Sequence, residues 1–158
     1  MDNYGDKSRF LWKTIMFIGE YSHTIDTKKR LAIPVKFRKD LGKKAVLTRG
    51  LDNCLYLYPQ KEWEGLAKRL AELPISRSDS RAFARLMLAG AMDVSLDQLG
   101  RILIPEYLKR YAGLGKKAIV AGLYNRIEVW DENKWESYKE QTIKEVDSIA
   151  EKMHEMGI

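Results

Sequence analysis

One sequence pattern occurs twice in this chain, and the duplication limits the possible folds more than any other feature. The segment 25–34 recurs as 96–105, and in each copy an Asp is followed four positions later by an Arg. The similarity continues, with small gaps, through 43–63 and 116–135. Because a unit of about forty residues is too small to close a hydrophobic core alone, we expect the two copies to interlock.

Each copy is predicted to form short strands around one brief helix. A strand precedes the Asp, a second strand follows the Arg, and two further β-rich runs complete the copy. Pro34 and Pro105 fit the start of the helix, since proline has no N–H that would be left unpaired there. The predicted fold class is therefore α+β and mainly β, built from two tandem repeats.

The same patterns predict the boundaries of the repeats. Repeat 1 is predicted over 20–63 and repeat 2 over 91–135. The connecting segment 64–90 has apolar residues at helical spacing and is predicted to form a helical hairpin. Residues 136–158 are predicted to form an acidic C-terminal helix. Residues 1–15 carry no pattern and are predicted to be a flexible N-terminal arm.

The C-terminal helix is predicted to begin at Glu132, and its later part has apolar residues at heptad-like spacing. These residues are Val146, Ile149, Met153 and Met156. Two interpretations are open. The apolar face packs on its own domain, as in an ordinary amphipathic helix, or it contacts another subunit.

Positive charge is concentrated in the first repeat. The chain has 28 Lys and Arg against 22 Asp and Glu, for a formal net charge of +6. Residues 28–49 carry nine positive groups and one negative group, whereas 136–158 carry three positive and six negative groups. Such a basic region attracts polyanions through phosphate neutralisation and counterion release. The alternative is a charged surface that is merely solvated.

The composition excludes several classes of protein. A single cysteine and two histidines cannot build a disulfide scaffold or a His/Cys zinc cluster. No apolar run approaches the roughly 18 residues of a membrane span, and no cleavable signal peptide is expected. A cytoplasmic protein is therefore predicted.

The sequence offers no convincing catalytic group. Ser22 and His23 are neighbours on a predicted strand, so their side chains point to opposite faces and do not readily pair. Cys54 is predicted to be an inert buried thiol. No Gly-rich phosphate loop with Walker spacing precedes a helix. We therefore predict a protein that is not an enzyme, with no catalytic residue, metal ligand, cofactor or small-molecule substrate.

The two Asp turns are the candidate binding elements. An Asp in a turn accepts hydrogen bonds from backbone N–H groups just ahead of it, so Asp26 and Asp97 are predicted to shape the loops. Gly100 supplies a position that tolerates positive φ. Arg30 and Arg101 then present a planar cation that suits phosphate or a guanine edge.

The two turns are not equally basic. Lys28 and Lys29 add two positive charges to the first turn, whereas the second has Gln98 and Leu99 at its tip. The first turn is therefore predicted to contribute more of the binding to a polyanion. For Arg101 two roles are open, in that binding or in subunit packing.

These turns and their flanking residues resemble those of the MraZ family of bacterial transcriptional regulators. The matching motifs are residues 16–26, the two Asp-x-x-x-Arg turns, Leu57-Tyr58-Pro59 with Trp63, and Val129-Trp130-Asp131 with Trp135. The resemblance extends from Met16 to about Trp135. It implies tandem domains related to the AbrB and SpoVT swapped-hairpin DNA binders, forming a double-split β-barrel.

The resemblance also implies a function. It implies a sequence-specific repressor of its own division and cell-wall gene cluster. A ring-shaped homo-oligomer would bind short direct repeats in promoter double-stranded DNA and associate with the nucleoid. By the resemblance, Arg30 and Arg101 belong to the DNA-facing surface, and the basic residues Lys28 and Lys29 of the first turn are predicted to contact the DNA beside Arg30. The alternative is a basic module that binds RNA or a protein partner, as in antitoxins with this fold.

The sequence departs from the family pattern at Lys29, where Gly usually precedes the first Arg. Lys29 must adopt the backbone shape that Gly would have had, which costs on the order of 1 kcal/mol if φ is positive. Of the expectations drawn from the resemblance, the geometry of the first turn is the one that this departure affects most.

Overall fold

The computed structural model describes residues 15–158, and these residues form an α+β structure that confirms the predicted class. The predicted arm over 1–15 lies outside the described residues except for Ile15, which packs against the core. The elements of the first repeat are β1 (Phe17–Thr24), β2 (Arg30–Ala32), α1 (Val35–Leu41), β3 (Lys44–Arg49) and β4 (Leu55–Pro59).

A helical connector joins the two repeats. It consists of α2 (Gln60–Ala71), α3 (Ser78–Ala84) and a π-helical turn, Arg85–Ala89. The second repeat then has β5 (Met92–Ser95), β6 (Arg101–Leu103), α4 (Glu106–Tyr111), β7 (Lys117–Tyr124) and β8 (Ile127–Asp131). Each repeat thus has the predicted order of two strands, one short helix and two further strands.

The two repeats interlock, as expected from their small size. The six-stranded sheet has the order β1-β7-β8-β4-β3-β5, so the first strand of each repeat pairs with the third strand of the other. β2 and β6 form a separate two-stranded antiparallel ribbon, again with one strand from each repeat. Neither repeat could keep this pairing without the other.

The larger sheet remains open at both ends. β1 and β5 are its edge strands and do not pair with each other. The strand pairing therefore does not confirm the double-split barrel that was expected.

The larger of two apolar clusters joins equivalent positions of the two repeats. Leu31 and Ile102 face each other in the β2–β6 ribbon, and both are fully buried. Other equivalent positions of the two repeats are also both buried, among them Ile33 with Ile104 and Phe37 with Leu108. Burying each such side chain contributes about 1.5–3 kcal/mol. This core holds the ribbon, and hence both Asp turns, in fixed positions.

The segment predicted as one C-terminal helix is divided at Glu145 into α5 (Glu132–Lys144) and α6 (Val146–Glu155). Asp131 caps α5 by accepting a hydrogen bond from the backbone N–H of Lys134. Along α6 most of the predicted apolar face is exposed, with Val146 49% and Met153 37% accessible, while Ile149 is half-buried. Within the described chain this face is therefore not packed on its own domain.

None of the helices within residues 15–158 is both long and apolar enough to span a lipid bilayer.

Candidate nucleic-acid interface

The first Asp turn is closed by its own carboxylate. Oδ1 of Asp26 accepts hydrogen bonds from the backbone N–H groups of Lys28 and Arg30, both at 2.9 Å. Oδ2 accepts from Nε of Arg30 at 2.7 Å. The backbone N–H of Asp26 also donates to the carbonyl of Arg30. One carboxylate thus holds both the loop backbone and the arginine side chain.

The second Asp turn repeats this arrangement atom for atom. Oδ1 of Asp97 accepts from the backbone N–H groups of Leu99 and Arg101, again at 2.9 Å. Oδ2 accepts from Nε of Arg101 at 2.8 Å. The turn geometry is therefore independent of whether the tip carries lysine or leucine.

The hydrogen bonds shift the ionisation of both carboxyl groups. The backbone N–H of Arg30 is the main cause that lowers the pKa of Asp26, and that of Arg101 does the same for Asp97. A group that accepts N–H bonds favours its charged form. Both carboxylates are therefore ionised at neutral pH and serve as acceptors.

The β2–β6 ribbon places the two turns side by side. The backbone N–H of Ile33 donates to the carbonyl of Gly100 at 2.9 Å, and Ile104 donates to that of Lys29 at 2.8 Å. Nη1 of Arg101 also lies 4.0 Å from Oδ2 of Asp26. Residues 26–30 and 97–101 consequently form one surface, although they are far apart in sequence.

The strand periodicity turns both arginines outward. Leu31 and Ile102 face the core, so the alternate residues Arg30 and Arg101 lie on the opposite face of the ribbon. Within residues 15–158, the side-chain hydrogen bond and ion pair of Arg30 use only its Nε. Its two Nη groups are available to an acceptor outside the chain.

The two predicted lysines have different surroundings. Lys28 is exposed, and no ion pair within the described residues involves it. Lys29 has a φ of 63° and pairs through Nζ with Oε2 of Glu106. This hydrogen bond from Lys29 is the main cause that lowers the pKa of Glu106. Lys28 is thus the more available of the two for an anionic partner.

Two residues at this surface were not anticipated from the sequence. Glu106 begins α4 and pairs with Lys29 across the repeats. Arg38 on α1 donates through Nε to the carbonyl of Ile33 and covers Gly100, where a Cβ would collide with its guanidinium. The only sequence signal was that charged residues occupy the helices that follow each turn.

The groups considered for catalysis are Ser22, His23 and Cys54. The hydroxyl of Ser22 donates to Glu132 and does not pair with His23. Burial raises the pKa of the Cys54 thiol. Across residues 15–158, no group of three or more His, Cys, Asp or Glu side chains is placed to hold a metal ion.

Comparison with known proteins also finds two repeats in this chain. A family model described as "MraZ protein, putative antitoxin-like" matches residues 16–86 and again 87–156. "Transcriptional regulator MraZ" of Clostridium tetani is 49% identical over 143 residues, covering 90% of this chain and 100% of that protein. Proteins of the same name from Acetivibrio thermocellus and Moorella thermoacetica are 51% and 47% identical, with the same coverage. The chain belongs to the MraZ family.

Proposed function

We propose that this protein is a sequence-specific DNA-binding transcriptional regulator that represses its own division and cell-wall gene cluster. The observation that carries the proposal is the pair of identical Asp turns on one ribbon. They hold Arg30 and Arg101 side by side on an outward face. The relatives are named as transcriptional regulators, a name that denotes no class of enzyme.

The charge around the ribbon supports a polyanionic partner. Lys28 in the first turn and two lysines on α1, Lys36 and Lys39, are exposed. Each lysine or arginine that neutralises a phosphate releases counterions, so log K falls with log salt by about 0.9 for each contact. Phosphate contacts position a protein on DNA, whereas contacts to base edges specify the sequence.

The small size of the ribbon favours a repeated assembly. β2 and β6 have three residues each, and one such surface offers few contacts. We therefore propose a ring-shaped homo-oligomer that presents many copies of the ribbon to short direct repeats in the promoter. Linked weak sites bind with a combined affinity far above that of one site. Such a protein would work at the nucleoid in the cytoplasm.

The proposal is tested by titrating purified protein against DNA from upstream of its own gene. A scrambled fragment of equal length and two salt concentrations serve as controls. Arg30→Ala should weaken binding to the upstream fragment about tenfold or more. Arg77→Ala removes the same charge from the connector and should leave that binding unchanged.

The remaining outcomes separate the alternatives. Equal binding of both fragments, lost together as salt rises, would favour a basic module for RNA or a protein partner. Size-exclusion chromatography of Arg101→Ala separates a DNA contact from a subunit contact, since only the latter changes the assembly. A reporter under the upstream promoter should become more active when the protein is removed, if the protein is a repressor.

A further inference from the structure

The two Asp turns have the same backbone but different tips. We define the tip as the two residues after each Asp, which are Thr27-Lys28 in the first turn and Gln98-Leu99 in the second. The second tip residue is held in the same way in both, by a 2.9 Å hydrogen bond from its N–H to Oδ1 of the Asp. One backbone shape therefore presents a cation at one tip and an apolar side chain at the other.

The second tip is exposed on the same surface as the arginines. Leu99 is 63% accessible, and Gln98 is also exposed. On the ribbon, Leu103 lies opposite Arg30 and is 59% accessible. The first tip thus carries a cation and the second an amide and an aliphatic group, while Leu103 adds an aliphatic side chain beside Arg30.

On the basis of the function proposed above, we propose that each protomer reads its DNA site in one direction. The first tip contacts phosphate through Lys28, and the second contacts base edges in the major groove through Gln98 and Leu99. A lysine is a compact point charge that suits phosphate. A glutamine amide pairs with N6 and N7 of adenine, and an aliphatic side chain contacts the C5 methyl of thymine.

The rigid spacing of the tips makes this division of roles effective. The reciprocal bonds from Ile33 to Gly100 and from Ile104 to Lys29 fix one turn against the other. With identical tips, a protomer of this approximate twofold symmetry would bind a site equally well in either orientation. Different tips remove that equivalence. Sites that are read in one direction are the units of which direct repeats consist.

The test uses the full-length protein and modified operator DNA. In one DNA uracil replaces thymine, which removes the C5 methyl, and in another 7-deazaadenine replaces adenine, which removes N7. For the unmodified protein we expect about a fourfold loss of affinity when one buried methyl is removed. We expect about a tenfold loss when one adenine contact is removed.

Single variants then assign each contact to a side chain. Leu99→Ala should lose the sensitivity to uracil, and Gln98→Ala should lose the sensitivity to 7-deazaadenine. Neither should alter the dependence of affinity on salt. Lys28→Ala, the matched variant at the position of Leu99 in the other turn, should lower the salt slope by about one and keep both base sensitivities.

The outcomes distinguish this assignment from the proposed function. If Leu99→Ala and Gln98→Ala keep the original sensitivities while upstream DNA is still preferred, the assignment is wrong and the proposed function stands. A Leu99→Ala protein with a changed elution volume and unchanged base sensitivity would make the tip a subunit contact and would also overturn the assignment. If the unmodified protein shows no preference for upstream DNA, both proposals fail.

Discussion

Lys29 and Gly100 occupy the same position in the two Asp turns, and both have left-handed backbone, with φ of 63° and 74°. A residue with a Cβ in this conformation costs about 1–2 kcal/mol, because the Cβ approaches the following carbonyl oxygen. The first turn thus keeps the shape of the second despite the strain. The lysine side chain also forms an ion pair with Glu106, and a glycine at this position could not form it.

Alanine at the two positions should have unequal effects on stability. Gly100→Ala should lower the free energy of unfolding by about 1–2 kcal/mol, because it introduces a Cβ at positive φ. That Cβ also meets the guanidinium of Arg38. Lys29→Ala is the matched control, since it keeps a Cβ already present and loses an exposed ion pair that contributes less than about 1 kcal/mol. Denaturant unfolding at one protein concentration compares them, and equal losses would contradict this account of the strain.

Removing the negative charge of Asp26 should weaken DNA binding. Bulk electrostatics alone predicts the reverse, because the surface becomes more positive. However, the carboxylate holds the N–H groups of Lys28 and Arg30 and the Arg30 side chain. We expect Asp26→Ala to lose about tenfold in affinity for upstream DNA, since the loop is no longer preorganised. Fluorescence anisotropy titration measures the loss.

Asp40 on α1 provides the control for this prediction. Asp40 is exposed, and its carboxylate accepts no hydrogen bond from the described residues of the turn. Replacing it with alanine therefore removes the same charge and leaves the hydrogen bonds of the turn in place. Asp40→Ala should bind DNA as well as the original protein or slightly better. If both aspartate variants gained affinity, the turn would not need its carboxylate.

The order of the first turn should persist to low pH. Hydrogen bonding, chiefly from the N–H of Arg30, lowers the pKa of Asp26 below that of the unfolded chain. The contribution of the carboxylate is therefore complete above about pH 4 and is lost as pH falls through the lowered value. NMR signals of the Lys28 and Arg30 amides should shift together at a pH clearly below the ordinary Asp pKa of about 3.9. Asp26→Asn should abolish that transition, and a transition at the ordinary Asp pKa would contradict the prediction.

A buried carboxylate on β8 should be important for stability. Glu128 is 7% exposed and accepts hydrogen bonds from Nη2 of Arg126 at 2.8 Å and from Nε1 of Trp130 at 3.0 Å. Glu128→Ala leaves a partly buried guanidinium without its partner, and we expect a loss of about 3 kcal/mol. The double variant Arg126→Met/Glu128→Leu should lose less, because no charge remains unpaired. Thermal unfolding of the three proteins checks the order.

The local elements could be predicted because their signals are short-range. Pro34 indicated the start of the helix that the structure places at Val35–Leu41. The division of the C-terminal segment at Glu145 had no such signal, since neither glycine nor proline marks it. The contact of Arg38 with Gly100 could not be predicted from the sequence either, because it joins a helix of one repeat to a turn of the other.

By itself, the sequence determined that the chain is a duplicated α+β protein with an Asp turn before the second strand of each repeat. Those features depend on residues a few positions apart, whose propensities and hydrogen bonds act locally. Only the tertiary structure decided that β1 pairs with β7 and β2 with β6, which brings Arg30 and Arg101 onto one face. Such pairing depends on burying apolar faces from both repeats together, and no local pattern specifies the partner.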